Sequence, residues 1–419
     1  MAMNTAGARG ARGGVRLLVA AGLASMTLGV LTATAQHAHH GAEPAPRATG
    51  AKGAERMPRG ALGSSATVDA AGAIWAVHTD GNHVVVRRSA DAGATWSAPV
   101  RVNAQPERIE ADGDSRPKIA TGPGGEVYVT WTKPLSRPYT GEIRFSRSLD
   151  GGKTFSEPVA VHADRQEITH RFDSVATSKD GRVFVAWLDK RDGVAARAAK
   201  AKPEYRGAAI YFAVSDDRGA SFRGDFKVAD HSCECCRISL LPQQDGSMLA
   251  MWRHVFEPNE RDHAVAQLNP DGSVTRFRRA TFDRWRIDAC PHHGPSLARD
   301  ADGQLHAVWF NQGPQNAGVS YGRLRDGGVE GQRRIGGEAA EHADLAIIGR
   351  RVALVWKEFD GEQSVLRAMR SDDAGRNWTE HRLGATGGAS AQPRVLVRDG
   401  RFIAFWHTRQ EAVKTVVLP

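Results

Sequence analysis

The sequence predicts an all-β protein, a β-propeller of four-stranded blades with seven blades favoured over six. Three observations carry the prediction: one strand pattern recurring seven times, its near-regular spacing, and a turn signature repeated within it. Each repeat has a short strand, a turn with Gly, and a second strand rich in Val, Ala and aromatics. The second strands fall at residues 74–78, 127–131, 183–187, 248–252, 305–309, 352–356 and 402–406. Six of them end in Trp (Trp131, Trp187, Trp252, Trp309, Trp356 and Trp406), and these lie 47 to 65 residues apart, a period that suits a four-stranded blade with variable loops. Turns such as Asp180-Gly181 and Asp302-Gly303 bound the strands, as hairpins require. No segment of the repeats reads as an amphipathic helix. The seventh unit is followed only by a strand at 412–418, so it lacks a fourth. Residues 57–62 are expected to supply one and close the ring, since closure removes exposed sheet edges.

Composition sets the outer limits. The chain has 419 residues, 41% hydrophobic and 25% charged, which excludes collagen-like, coiled-coil and fully disordered proteins. Its 56 basic residues against 47 acidic ones give a net charge of +9, but they are scattered, so no nucleic-acid partner is inferred. Arg9, Arg12 and Arg16 precede an apolar run at 17–30 and the small-x-small site Ala33-Thr34-Ala35. That order predicts a signal peptide over 1–35, cleaved after Ala35, and a periplasmic or secreted protein. The apolar run is short for a membrane span, and no later segment is apolar enough, so none is expected after cleavage. Residues 36–60 read as a flexible arm bearing His37, His39 and His40, a short tract of a kind that binds metal. Residues 61–419 are the propeller.

The turn signature is Ser89-x-Asp91-x-Gly93-x-Thr95-Trp96. It returns at Ser148, Asp150, Gly152, Thr154 and Phe155, at Ser215, Asp217, Gly219, Ser221 and Phe222, and at Ser371, Asp373, Gly375, Asn377 and Trp378. Ser and Asp side chains can bond the turn's own amides, Gly permits the bend, and the aromatic packs between strands. The pattern resembles the Asp-box (BNR) repeat of the sialidase-like β-propellers of exported bacterial type. The resemblance covers residues 61–419 and implies that these turns are structural and lie away from any active site.

Function is sought where loops open near a propeller's axis: those leading into innermost strands and those leaving second strands. The four cysteines and most histidines outside the arm fall on that one face. Cys233, Cys235 and Cys236 precede one innermost strand and Cys290 the next, and Cys233 and Cys235 share a face if extended. Two readings stay open. In an oxidising compartment an even cysteine count predicts disulfides, such as Cys236–Cys290 with a Cys235–Cys236 neighbour bridge. Thiolate with imidazole predicts a soft metal site instead, for copper or tetrahedral zinc, built from Cys233, Cys235, Cys236, Cys290, His292 and His293, with His231 and His342 as further ligands. Copper binding is the leading expectation.

The resemblance implies an alternative, an exo-sialidase acting on acidic sugars. Such enzymes clamp the substrate carboxylate with three arginines, for which Arg116, Arg237 and Arg394 are placed. They also need a Tyr nucleophile with a Glu partner, and none of the five tyrosines sits in such a motif. A third alternative is a propeller that docks glycans or a protein without chemistry, using the inserts at 188–209 and 255–263.

Overall fold

The computed structural model describes residues 62–202, 204–289 and 291–419. They form seven antiparallel sheets, six of four strands and one of three, arranged as the blades of a propeller. Blade 1 spans residues 65–101, blade 2 118–160, blade 3 170–232, blade 4 239–279, blade 5 296–335, blade 6 340–386 and blade 7 394–417. The innermost strands are Ser65–Val68, Lys118–Thr121, His170–Thr177, Ser239–Pro242, Ser296–Arg299, Ala340–Ile348 and Arg394–Arg398. Each touches the next, and the last touches the first, so the ring is closed. The expected fourth strand for blade 7 falls almost wholly outside the described residues, and Leu62, which is described, lies in a turn.

Seven separate apolar cores hold the ring, one between each pair of neighbouring blades. The reason is the two-residue period of a strand, which sends alternate side chains to opposite faces. Within blade 2, Val127, Val129 and Trp131 join Trp75 and Val77 of blade 1, whereas Tyr128 joins Trp187 and Tyr211 of blade 3. Ring closure uses the same device: Leu396, Ile403 and Phe405 of blade 7 pack on Ala66, Ile74 and Ala76 of blade 1. The six repeat tryptophans are fully buried, and all but Trp252 place the indole N–H on an acceptor, as with Trp131 to Glu107 at 2.7 Å.

The four signature turns share one hydrogen-bond pattern. Ser89 Oγ donates to Asp91 Oδ1 at 2.8 Å and accepts from Gly93 N at 2.7 Å, while Asp91 accepts from Thr95 N at 2.8 Å. The turns at Asp150, Asp217 and Asp373 repeat these contacts. Their third-position glycines have φ of 79° to 94°, and a Cβ at Gly152 would enter the Trp75 ring of the preceding blade. The turns join third to fourth strands, at the end opposite the loops that lead into the innermost strands.

One element was not foreseen. The blade 3 insert contains a helix, Arg191–Ala198, with Gly193 its only buried residue. It has no apolar stripe, so hydrophobic periodicity could not reveal it. Asp189 fixes its start by accepting from Arg191 N at 2.9 Å, and Tyr211 donates to Asp192 at 2.8 Å.

Candidate metal centre

The outer strand of blade 3, Arg223–Ser232, crosses to the innermost strand of blade 4 through residues 233–238. The segment is not extended. A turn at 234–235 brings Cys236 back toward Cys233, which the alternation argument from Cys233 and Cys235 alone did not anticipate. Cys233 N donates to Arg253 O at 2.9 Å, and Ser174 Oγ donates to Ile238 O at 2.6 Å, so both ends of the loop are pinned. Glu234 projects outward to Lys190 at 2.5 Å.

All three cysteines are about 2% exposed or less, within a core shared with Phe172, Leu188, Ile238 and Trp252. Their sulfurs form a triangle: 3.8 Å for Cys233–Cys235, 4.0 Å for Cys235–Cys236 and 3.8 Å for Cys233–Cys236. An S–S bond is about 2.05 Å, so the expected Cys235–Cys236 bridge is not present. A metal bound at about 2.3 Å from each sulfur sets S···S edges of about 3.8 Å in a tetrahedron and about 4.0 Å in a trigonal plane. The triangle already has those dimensions. The Cys235 and Cys236 thiols, donating to Cys233, pull it well below the ordinary thiol range against the effect of burial, with Arg261 assisting. Arg261 Nη1 lies 3.6 Å from Cys233 Sγ. Burial and the neighbouring Cys233 push Cys236 up. Sequence reasoning missed Arg261, which lies in an insert (255–263) read only as a docking surface.

The structure divides the predicted ligands. Cys290 lies outside the described residues, so neither a Cys236–Cys290 bridge nor its part in a metal shell can be placed. His231 packs on Tyr205, ring centroids 4.8 Å apart, and its Nδ1 meets Arg206 N at 3.3 Å, apart from the cysteine set. The His292 ring is 6.1 Å from Phe172. His293 stacks on Phe310 at 4.1 Å and on His342 at 4.4 Å. With Glu341, absent from the sequence prediction, His293 and His342 form a second group whose donor atoms lie within 4.8 Å of one another. Burial holds both imidazoles neutral, taking His293 down to about 3. Lys357, Arg237 and Arg116 also depress His342, and Glu341 is paired to Lys357 at 3.2 Å. A cation there meets three basic side chains against one carboxylate already paired to Lys357, whereas at the cysteines Arg261 and Arg253 face three sulfurs, one of them held toward thiolate. The electrostatics therefore favour the sulfur triangle.

Beside both groups the axis is closed by a polar network centred on Asp114. Its carboxylate accepts from Arg237 N at 3.1 Å and Gly294 N at 3.0 Å, and sits 3.5 Å from Arg116 Nη1 and 3.6 Å from Arg237 Nη1. Burial pushes Asp114 up, but Arg237 and Arg116 together hold it below the ordinary carboxylate value. Gln392 Oε1 accepts from Arg116 and from Arg237, the latter at 3.3 Å, and Arg237 also donates to Ala343 O at 2.7 Å. Arg394 pairs with Asp344 at 3.2 Å. The three arginines of the expected clamp do converge, but Arg116 and Arg237 are buried against Asp114 and Gln392.

No protein-family model matches the chain, and no curated protein does. Solved structures do. The polysaccharide lyase Uly1 aligns over 88% of this chain and 92% of its own at 12% identity, with a TM-score of 0.53. An ulvan lyase of family PL25, bound to a glucuronate–sulfated rhamnose unit, aligns over 85% and 94% at 9% identity, with a TM-score of 0.52. The chain shares their propeller fold. A leech intramolecular trans-sialidase aligns over 82% of each chain at 9% identity and a TM-score of 0.47.

Proposed function

We propose that this protein binds a soft transition metal, copper(I) in preference to zinc, through Cys233, Cys235 and Cys236 on the axial face. The observation that carries the reading is the buried sulfur triangle with edges of 3.8, 4.0 and 3.8 Å. Thiolates select soft ions, three suffice for trigonal copper(I), and Cys290 as a fourth would favour tetrahedral zinc. Arg261 offsets the negative charge that three thiolates leave around a monovalent ion. Signal-directed export, a periplasmic or secreted location and a histidine-bearing arm belong to the same reading. They place the chain where copper is handled outside the reducing cytosol.

The test is elemental analysis of untagged protein from its export compartment, followed by anaerobic copper(I) titration against a chromophoric chelator. About one equivalent, retained without residues 36–60 and lost in Cys236→Ser, is the expected result. No metal after reduction and reconstitution overturns the reading. Action on acidic sugars is the second reading, supported by the fold shared with polysaccharide lyases. Release of a fluorogenic group from a sialoside tests its sialidase form.

A further inference from the structure

On the face opposite the cysteines, blades 4, 5 and 6 enclose a cleft of about 910 Å³. The strand ends define this face: Arg299 closes the innermost strand of blade 5, and Leu305 opens its second strand. The cleft is lined by seven arginines and three aspartates. Three of those arginines are satisfied within the protein. Arg299 donates to Gly303 O at 2.9 Å, Arg325 meets Glu330 at 3.2 Å, and Arg350 pairs with Asp302. Arg276, Arg278, Arg323 and Arg376 have no carboxylate within salt-bridge distance among the described residues. Two of the aspartates are committed elsewhere, Asp300 to His306 at 3.2 Å and Asp302 to Arg350.

Two further atoms point to a ligand. Arg278 Nη1 is buried with no acceptor, and Gln304 Oε1 is buried with no donor. The Gln304 amide cannot turn to satisfy itself, because its Nε2 donates to Leu305 O at 2.7 Å and Leu324 O at 2.8 Å. Such atoms are expensive to leave unpaired. The outer strand of blade 4 also bulges here: Val265 pairs Arg278 and Gln267 pairs Thr275, so Arg276 and Phe277 face one residue. A bulge re-aims side chains, and Arg276 has φ of 55°. The cleft thus offers guanidinium groups from three blades for oxyanions, and a fixed acceptor for a hydroxyl. A ligand with both, repeated along a chain, is a sugar polymer bearing carboxylate or sulfate; a DNA backbone has oxyanions but no hydroxyl donor. The volume suits an oligosaccharide segment better than a lone inorganic ion.

We propose that this cleft binds an acidic glycan, with Arg276, Arg278, Arg323 and Arg376 on its oxyanions and Gln304 Oε1 accepting from a sugar hydroxyl. The site is independent of the cysteine triangle. Calorimetric titration of the full chain with an oligogalacturonate, and with a sulfated oligosaccharide of equal length, distinguishes carboxylate from sulfate. A neutral oligosaccharide and duplex DNA serve as comparators. One acidic oligosaccharide binds and the neutral one does not. The double variant Arg276→Ala, Arg323→Ala weakens binding at least about tenfold per arginine. Its copper titration matches wild type. Those side chains have no partner to lose, so the fold is kept. Failure of both acidic probes, undiminished binding by the double variant, or DNA binding as tight as the glycan overturns the proposal.

Discussion

Replacing Asp114 with Asn tests whether the axial network is a structural clamp. Asp114 is 0% exposed, and its charge faces Arg116 and Arg237, themselves 1% and 4% exposed. Asn keeps the shape but not the charge. Its carbonyl can still accept from Arg237 N and Gly294 N, now at 3.1 and 3.0 Å, which turns its NH₂ toward the guanidiniums 3.5 and 3.6 Å away. Two buried cations then have only neutral acceptors, Gln392 Oε1, Ser65 Oγ and backbone carbonyls. Burial already lowers Arg116 to about 10 with the carboxylate in place. Breaking a buried pair from one side costs about 3–5 kcal/mol, and that is the loss expected for Asp114→Asn. Urea unfolding followed by the fluorescence of the chain's 10 tryptophans measures it. Arg394→Gln is the comparator. Arg394 is 31% exposed and its partner Asp344 keeps Val395 N at 3.0 Å and Ser296 Oγ at 2.7 Å. It should lose about 1 kcal/mol or less. A loss below about 1 kcal/mol for Asp114→Asn refutes the clamp.

Other outcomes follow from the same geometry. Burial lowers His162, His254 and His407 to about 4, so between pH 6.5 and 4 the unfolded chain binds more protons than the folded one. Stability is therefore full above about 6.5 and falls on acidification by up to about 1.4 kcal/mol per pH unit for each histidine; a flat urea profile from pH 6.5 to 5 contradicts this. Asp114, depressed in the fold, adds its own loss only below about pH 4, where carboxylates protonate. Gly152→Ala should cost about 3 kcal/mol, since φ is 80° and the new methyl meets Trp75. Gly151→Ala has a φ of 72° but open space, so about 1 kcal/mol is expected, and equal losses for the two would remove the packing argument. Cys236→Ser should abolish copper(I) retention against a competing chelator while leaving the unfolding midpoint near wild type. Full retention would show that Cys236 is not a ligand.

Much of the fold was legible because propeller repeats write themselves into sequence. Trp131 to Trp406 recur with the blade, and the Ser-x-Asp-x-Gly turns recur with the third hairpin. Both depend on local hydrogen bonding and strand alternation, which a few adjacent residues specify. The helix Arg191–Ala198 was not legible, because its start is held by Asp189 and its packing by Tyr211 rather than by an apolar stripe of its own. The site was half legible. Cysteine and histidine density located the face, but the density merged two groups that lie on different blades.

The sequence by itself determined the repeat and the end of the propeller on which the cysteines sit, and favoured seven blades over six, since these follow from short-range pattern and chain direction. Only the tertiary structure decided which donors meet. It gathered Cys233, Cys235 and Cys236 through a turn, gave His293 and His342 a neighbour in Glu341, and brought Arg261 to Cys233. It also brought Arg237 to Asp114, 123 residues earlier in the chain, beside the neighbouring Arg116. Side-chain meeting across blades depends on distances fixed by ring closure, and no local run of residues encodes those.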